Sequence, residues 1–256
     1  MQNAALAVGL TVSAAGLSGV AQTTETVAAK NVVLVHGAWV DGSSWSKVIP
    51  LLEAKGLHVV SVQIPLTSLA DDVAATDRAL ALIDGPVILV GHSYGGVVIT
   101  QAGNNPKVKG LVYIAAFSPD AGESVFSLAK SSPVQSPALS QIVADNAGFT
   151  KISKQGIDED FAEELSATEK AVLLATQVPA SAPNTLGAPV TEVAWKTKPS
   201  WTLITTRDRV LPFQAQQAMA QRSNAQVTSV ASSHLVILAH AEEVAGVIER
   251  AAKEVK

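Results

Sequence analysis

Short apolar runs alternate with longer amphipathic stretches along most of this chain. The apolar runs predict six strands, near residues 31–35, 57–62, 86–90, 109–116, 200–206 and 225–231. The amphipathic stretches predict helices near residues 44–55, 68–83, 95–104, 212–222 and 241–254. Alternating strands and helices are typical of parallel strands joined by right-handed crossovers. The pattern therefore predicts an α/β protein with an open, mainly parallel, doubly wound sheet of about six strands.

The alternation fails between Asp120 and Lys198. These roughly 80 residues are too many for a structureless connection inside a compact domain. We therefore expect one domain over residues 30–256 with a helical cap inserted at about residues 121–198. The most periodic part of the cap, residues 158–177, predicts one or two helices. The stretches at residues 131–140 and 179–189 predict loops.

The most informative motif is G-x-S-x-G, centred on Ser93 within VILVGHSYGGVVIT. A predicted strand precedes it and a predicted helix follows it, which is the context of a nucleophile elbow. Gly91 and Gly95 stand where a side chain would collide with neighbouring backbone. Average glycine and serine usage gives on the order of 0.1 chance matches in a chain of this length, so the flanking elements add most of the specificity. Ser93 is the predicted nucleophile; a tight connection at a strand end is the alternative.

A serine hydroxyl is a weak nucleophile, so it needs a histidine base, a carboxylate that orients the histidine, and donors for an oxyanion. The donors are expected from the HGAW loop at residues 36–39, after the first strand, and from the start of the helix after Ser93. Backbone N–H groups of Ala38 and Tyr94 are in the right places for this role. His36 is expected to hold that loop rather than to act as the base.

The predicted acid is Asp208, which follows the buried strand at residues 200–206 and comes after the serine in the chain. A solvated turn in which Asp208 only pairs with Arg207 or Arg209 is the alternative. Asp120, at the end of the preceding strand, is the reserve candidate.

The predicted base is His234, in the loop after the strand predicted at residues 225–231. His240 is the other histidine that follows the acid, and we expect it to serve as a helix-start or packing residue. His58 and His92 are expected to be structural, because one lies within a predicted strand and the other directly precedes the nucleophile.

With these residues in place, the chain resembles the α/β-hydrolase superfamily over nearly all of residues 30–255. The resemblance rests on the HG loop, the GHSYGG elbow, Asp208 and His234 in the superfamily's order. HGAWVDGSSWSKVIPLLEAKG and VILVGHSYGG are most similar to small esterases of the plant methylesterase and hydroxynitrile lyase group. Those lyases carry a catalytic lysine beside the base, where this chain has Leu235 and Val236. The departure favours ester hydrolysis over cyanohydrin chemistry.

The residues and the resemblance together predict a serine hydrolase that cleaves small or medium carboxylic esters through an acyl-enzyme intermediate. A hydroxynitrile lyase or perhydrolase on the same scaffold is one alternative. A ligand receptor or pseudoenzyme that keeps the triad is another. The pocket is expected to include residues that are also consistent with plain core packing: Trp39, Phe126, Phe149, Leu173, Trp195, Val210 and Leu235.

Composition narrows the expected partners. The net charge of −4 and the lack of a Lys/Arg-rich run argue against nucleic acid, and the sequence has neither a phosphate-binding glycine loop nor a ligand-spaced His cluster. We therefore expect a small-molecule ester substrate and no cofactor or metal. The chain has no cysteine, which excludes disulfides and a thiol nucleophile. Oligomeric state stays open.

The first part of the chain, residues 1–29, is apolar and rich in small residues. It predicts a secretory signal with cleavage near Ala21 and hence a periplasmic or secreted protein. The start MQN lacks the positive charge of a typical signal, so a flexible amino-terminal segment on a cytoplasmic protein is the alternative. Glycine, serine and threonine dilute the apolar run, so no stable membrane association is expected.

Overall fold

This computed structural model describes residue 1 and residues 29–255, and the nine strands found there form two sheets. The strands are Asn31–Val35 (β1), His58–Val62 (β2), Val87–His92 (β3), Val108–Ile114 (β4), Ile142–Ala144 (β5), Phe149–Ile152 (β6), Ala180–Ser181 (β7), Ser200–Thr205 (β8) and Gln226–Val230 (β9). Six of them form one sheet in the order β2-β1-β3-β4-β8-β9, and each neighbouring pair is parallel. The predicted open parallel sheet is confirmed. The predicted signal segment lies almost wholly outside the described residues.

Helices cover both faces of the sheet. They are Ile49–Glu53 (α1), Leu69–Ala81 (α2), Gly95–Ala102 (α3), Val125–Ser131 (α4), Lys154–Gly156 (α5), Ala167–Thr176 (α6), Phe213–Arg222 (α7), Val236–Ala239 (α8) and Ala241–Glu254 (α9). Alternate residues of β1 belong to different hydrophobic clusters: Val33 and Val35 pack with α2 and α3, whereas Val32 and Leu34 pack with α1 and α9. Because successive side chains of a strand point to opposite faces, this apolar run is buried on both sides.

The first predicted helix, residues 44–55, is shorter than expected. A 3-10 turn over Gly42–Trp45 comes first, and Asp41 caps it by accepting the Ser43 N–H at 2.7 Å. The α-helix begins only at Ile49, with Pro50 in its first turn. Proline lacks an N–H and clashes with the preceding turn of a helix, so it is tolerated at this position and not in the interior of a longer helix.

Between β4 and β8 the chain contains helices α4 to α6 and a small antiparallel sheet in the order β5-β6-β7. The predicted helix at residues 158–177 is realised as α6, which starts at a capping box between Ser166 and Glu169, and as a wide helical turn over Ile157–Phe161. This small sheet was not expected from the sequence. Its strands are two to four residues long and mostly lack a clean alternation of buried and exposed positions, so they leave no periodic signal.

Close backbone contacts define the turn between β3 and α3. A Cβ atom on Gly96 would lie 2.1 Å from the carbonyl oxygen of Phe117, and one on Gly91 would lie 2.5 Å from that of Gly95. Ser93, between these glycines, has a φ of 53°, which L-residues rarely adopt. The glycines let the surrounding backbone close around one strained residue.

These contacts predict different effects for two glycine-to-alanine substitutions. Gly96→Ala should lower the free energy of unfolding by about 1–3 kcal/mol or more, because the new methyl group overlaps backbone. Gly246→Ala is the control: this glycine is exposed on α9 with no atom within 4 Å of the added Cβ. It should raise stability by about 0.5–1 kcal/mol. Urea unfolding measures both, and equal effects would contradict this account of the turn.

Candidate active site

Ser93 lies directly after β3 with its side chain buried against a histidine. Its Oγ–H donates to Nε2 of His234 at 2.8 Å. The backbone holds the serine from both sides, because its N–H donates to the Ile114 carbonyl at 3.3 Å and its own carbonyl accepts the Phe117 N–H at 3.2 Å. The strained residue is thus tied to the end of β4 as well as to α3.

His234 and Asp208 follow the neighbouring strands β9 and β8. Nδ1–H of His234 donates to Oδ2 of Asp208 at 2.9 Å, and both side chains are fully buried. Nε2–H of His92 donates to the His234 carbonyl at 3.0 Å, which fixes the backbone of the loop. Burial, aided by the nearby His234, lowers the pKa of His92 to about 3, so this ring stays neutral at physiological pH. The structure thus joins serine, histidine and carboxylate in one hydrogen-bonded chain.

The Asp208 carboxylate receives donors on both oxygens. Besides His234, Thr205 Oγ1–H and Gln216 Nε2–H donate to Oδ2 at 2.8 Å and 3.1 Å. The backbone N–H groups of Val210 and Leu211 donate to Oδ1 at 2.9 Å and 2.8 Å. These bonds compensate for loss of water around the acid and fix its orientation toward the imidazole. Neither neighbouring arginine pairs with it, in contrast to the alternative of a solvated turn.

The predicted oxyanion donors lie at the cavity wall beside Ser93. The N–H groups of Ala38 and Tyr94 make no hydrogen bond within residues 29–255, and both residues line the cavity. His36 holds the Ala38 loop: its Nδ1–H donates to the Gly37 carbonyl at 2.8 Å and its Nε2 accepts the Ile64 N–H at 3.1 Å. Burial lowers the pKa of His36, so the ring stays neutral in this role. Two unpaired N–H groups next to a nucleophile are suited to bind a developing oxyanion.

A buried carboxyl group contacts the side chain of Tyr94. The hydroxyl of Tyr94 donates to Oδ2 of Asp72 at 2.7 Å, and the Leu66 N–H donates to Oδ1 at 2.8 Å. Asp72 itself is buried, and desolvation raises its pKa to about 6. The side chain of the residue after the nucleophile is therefore anchored to α2.

The other candidates lie elsewhere. Asp120 forms an ion pair with Lys196 and makes no contact with the histidine of the triad. His240 faces Glu243 at 3.5 Å, and His58 is an exposed edge-strand residue. The hydrogen-bonded triad therefore contains the preferred candidate for the acid, Asp208, and for the base, His234.

A cavity of about 270 Å³ opens beside Ser93. Three of the predicted lining residues, Trp39, Phe126 and Val210, are in its wall. Most of the other walls come from α4, the loop after it and α7, chiefly through apolar side chains. They include Phe117, Val125, Leu128, Pro133, Val134, Leu139, Ile142, Leu186, Leu211 and Met219.

Four predicted lining residues lie outside this cavity. Leu235 is fully buried in the core next to α8, and Leu173 packs from α6 against the same core. Trp195 turns away because its Nε1–H donates to the Pro119 carbonyl at 2.9 Å. Phe149 belongs to the small sheet, where it pairs with Ser181. Of the four cap residues predicted to line the pocket, Phe126 in the segment nearest β4 is the one in the wall of this cavity.

Several residues that hold the site are not apparent from the sequence. Gln216 sits among several other glutamine and alanine residues of α7, and Thr205 ends an apolar strand. Neither position differs in pattern from its neighbours. Asp72 stands in an acidic first helical turn, where a carboxylate is ordinary. Only the fold reveals that these side chains are buried against the triad or beside its nucleophile.

Two negative findings apply to the described part of the chain. No cluster of three or more His, Cys, Asp or Glu side chains with the geometry to hold a metal occurs there. None of the helices described has the length and apolar character needed to cross a membrane.

A parallel sheet with a serine elbow after β3, an acid after β8 and a histidine after β9 defines the α/β-hydrolase class of fold. The sequence profile of the alpha/beta hydrolase family matches residues 32–247, and the chain belongs to that family. The superfamily resemblance drawn from the motifs is therefore confirmed.

Individual relatives agree with this placement. The chain is 37% identical to a carbendazim hydrolyzing esterase of Nocardioides sp. (strain SG-4G) over 114 residues, 38% of this chain and 46% of the relative. It is 32% identical to methylesterase 8 of Arabidopsis thaliana over 149 residues, 50% of this chain and 55% of the relative. The chain thus spans about half the length of the curated relatives it matches. The predicted similarity to plant methylesterases is confirmed.

A solved structure extends the likeness in fold. A pyrethroid hydrolase from Sphingobium faniae JZ-2 superposes with a TM-score of 0.75 at 24% identity. The superposition covers 88% of this chain and 98% of that one.

The raised pKa of Asp72 predicts a pH dependence of stability. In the folded protein this carboxyl keeps its proton up to a pH of about 6, whereas in the unfolded chain it ionises near 3.8. Between these values the folded state binds the extra proton, so Asp72 makes the free energy of unfolding fall as pH rises. Asp72→Asn removes the titration. The stability of the variant relative to the unmodified protein should therefore rise by about 1.4 kcal/mol per pH unit across this window.

Urea unfolding at several pH values between about 4 and 7 measures this difference. Asp71→Asn is the matched control. Asp71 is exposed, and hydrogen bonds from Ser68 and Thr67 lower its pKa, so its replacement should produce no such rise over the same window. A difference between Asp72→Asn and the unmodified protein that stays constant with pH would refute the prediction.

Proposed function

We propose that this protein is a serine carboxylic ester hydrolase acting through Ser93, His234 and Asp208. The observation that carries the proposal is the continuous hydrogen-bonded chain from Ser93 Oγ through the imidazole to Asp208, with Ser93 in the wall of a cavity. This arrangement supplies a nucleophile, a base and an orienting acid in contact with space for a substrate.

The mechanism follows from the contacts. Nε2 of His234 takes the proton of Ser93 as Oγ attacks the ester carbonyl carbon. The N–H groups of Ala38 and Tyr94 bind the resulting oxyanion, and Asp208 stabilises the imidazolium. The imidazolium then returns its proton to the departing alcohol, which leaves an acyl-enzyme. Water, deprotonated by the same nitrogen, releases the acid and restores the serine.

The size and apolar walls of the cavity, together with the names of two relatives, support small or medium neutral esters as substrates. A cavity of about 270 Å³ with mainly apolar walls favours an acyl or alcohol part without charge. Two relatives bear names that state hydrolysis of esters: the carbendazim hydrolyzing esterase and methylesterase 8. Their names support an ester as the substrate class.

Lyase, perhydrolase and receptor functions are the competing proposals on this scaffold. The catalytic lysine that hydroxynitrile lyases carry beside the base is replaced here by Leu235 and Val236, both fully buried. Cyanohydrin cleavage, peroxide-dependent halogenation and acylation without turnover are the activities that would distinguish these alternatives.

A p-nitrophenyl ester series of increasing acyl length tests the proposed hydrolysis. Ser93→Ala should reduce kcat by about a million-fold and Asp208→Asn by about ten-thousand-fold, since the first removes the nucleophile and the second the partner that selects the histidine tautomer. Ser140→Ala is the control, because this exposed serine lies in a 3-10 turn and bonds only to the Pro137 carbonyl. Sustained turnover by Ser93→Ala, or none by the unmodified protein, would refute the proposal.

Export of the protein is a second proposal, supported by the apolar, small-residue composition ahead of residue 30. Expression with the full amino-terminal segment should yield a chain that begins near residue 22 outside the cytoplasm. Amino-terminal sequencing of each cell fraction tests this, and an uncleaved chain retained in the cytoplasm would contradict it.

A further inference from the structure

One short piece of the chain between β4 and β8 contacts both the loop that carries Asp208 and the loop that carries His234. This piece, residues 160–164, is called the 160–164 segment below and reads DFAEE. It lies outside the wall of the substrate cavity. Its contacts are with the loops that carry the triad, which is a different task from shaping a pocket.

The histidine loop is held by Glu164. Oε2 of this carboxylate accepts the Ser233 N–H at 2.6 Å and the Ser232 Oγ–H at 2.7 Å. Burial raises the pKa of Glu164, but these hydrogen bonds and the nearby Arg207 outweigh that effect and leave the pKa below its usual value. The carboxylate is therefore charged at neutral pH. It fixes the two residues that directly precede His234.

The acid loop is held by the two arginines on either side of Asp208. Arg207 pairs with Oε1 of Glu164 and also donates to the Ala231 carbonyl. On the other side, Nε–H of Arg209 donates to Oδ1 of Asp160 at 2.6 Å, and the Asp160 side chain is only 3% exposed. Both arginines are thus directed at the 160–164 segment.

An aromatic contact completes the set. The ring of Phe161 lies 5.4 Å from the imidazole of His234 and 6.1 Å from the ring of Trp39, between centroids. Phe161 is itself buried and contacts both the proposed base and the HGAW loop at residues 36–39. Ring packing alone tolerates small shifts of the imidazole. The hydrogen bonds to Glu164 are directional, so they fix the position of the loop that carries His234.

We propose that Glu164 is a positioning residue for His234, holding the loop at residues 232–234 in the position where the imidazole bridges Ser93 and Asp208. This role rests on the proposed hydrolase function. Displacement of a catalytic group by about 1 Å costs on the order of 100-fold in rate. Glu164→Ala should therefore lower kcat by about 10- to 100-fold and leave KM within about twofold, because the cavity wall is intact. The kcat of Glu164→Gln should lie between those of Glu164→Ala and the unmodified protein, because its amide oxygen still accepts the Ser233 N–H.

Two further variants separate positioning from folding. Glu159→Ala is the matched control: this exposed carboxylate lies just before the segment and accepts a hydrogen bond only from Gln155. It should leave kcat and KM unchanged. Ser232→Ala removes one Glu164 contact at the cost of a single buried oxygen atom, and it should lower kcat severalfold. Its effect should shrink when Glu164 is already alanine, because the two residues act through one contact.

A spectroscopic measurement keeps the inference separate from the hydrolase proposal. The far-downfield proton NMR signal of His234 Nδ1–H reports its hydrogen bond to Asp208 whether or not any ester is turned over. The signal should be present in the unmodified protein and in Glu159→Ala, and weakened or shifted in Glu164→Ala.

Three results would overturn the positioning role. One is an unchanged kcat and NMR signal in Glu164→Ala. The second is a fall in kcat that only matches the unfolded fraction seen by circular dichroism at the assay temperature. The third is absence of the signal in the unmodified protein, which would leave no aligned pair to hold. If no ester is hydrolysed but the signal responds as expected, the hydrolase proposal fails and the positioning role stands.

Discussion

The Asp208 carboxylate is the constraint on which the rest of the site depends. A carboxylate without water needs hydrogen-bond donors on both oxygens, and the protein supplies them from β8, the following loop, α7 and the histidine. Once these donors are in place the carboxylate cannot rotate, and the imidazole that completes the set is fixed with it. The position of His234, and through it the orientation of the Ser93 hydroxyl, follows from satisfying one buried acid.

Strand ends are what made the core of this site predictable from sequence. Ser93, Asp208 and His234 each follow an apolar run, and parallel strands bring their carboxyl ends to one edge of the sheet. Local pattern and chain order therefore sufficed to choose Asp208 over Asp120 and His234 over His240, and the structure places the chosen pair in contact.

The support around that core was not predictable, for a physical reason. Gln216 and Glu164 act through contacts with residues that are eight or more positions away along the chain, and nothing in their immediate neighbours marks them. The prediction of the residues that line the cavity failed for a similar reason. Aromatic residues between β4 and β8 were natural candidates, yet Trp195 satisfies its indole N–H on a carbonyl and Phe149 joins a small sheet. Burial of an aromatic ring does not reveal which neighbour it faces.

The insertion between β4 and β8 divides into two parts with different duties. Helix α4 and the turn after it form much of the cavity wall, whereas the 160–164 segment contacts the loops of the acid and the histidine. Sequence change in the first part can alter which molecules fit while the second stays intact. Replacement of the whole insertion by that of another hydrolase would exchange both at once. For the design of new selectivity in this scaffold, the natural unit of exchange is therefore the stretch from α4 to β5, with the later part of the insertion kept as an extension of the sheet.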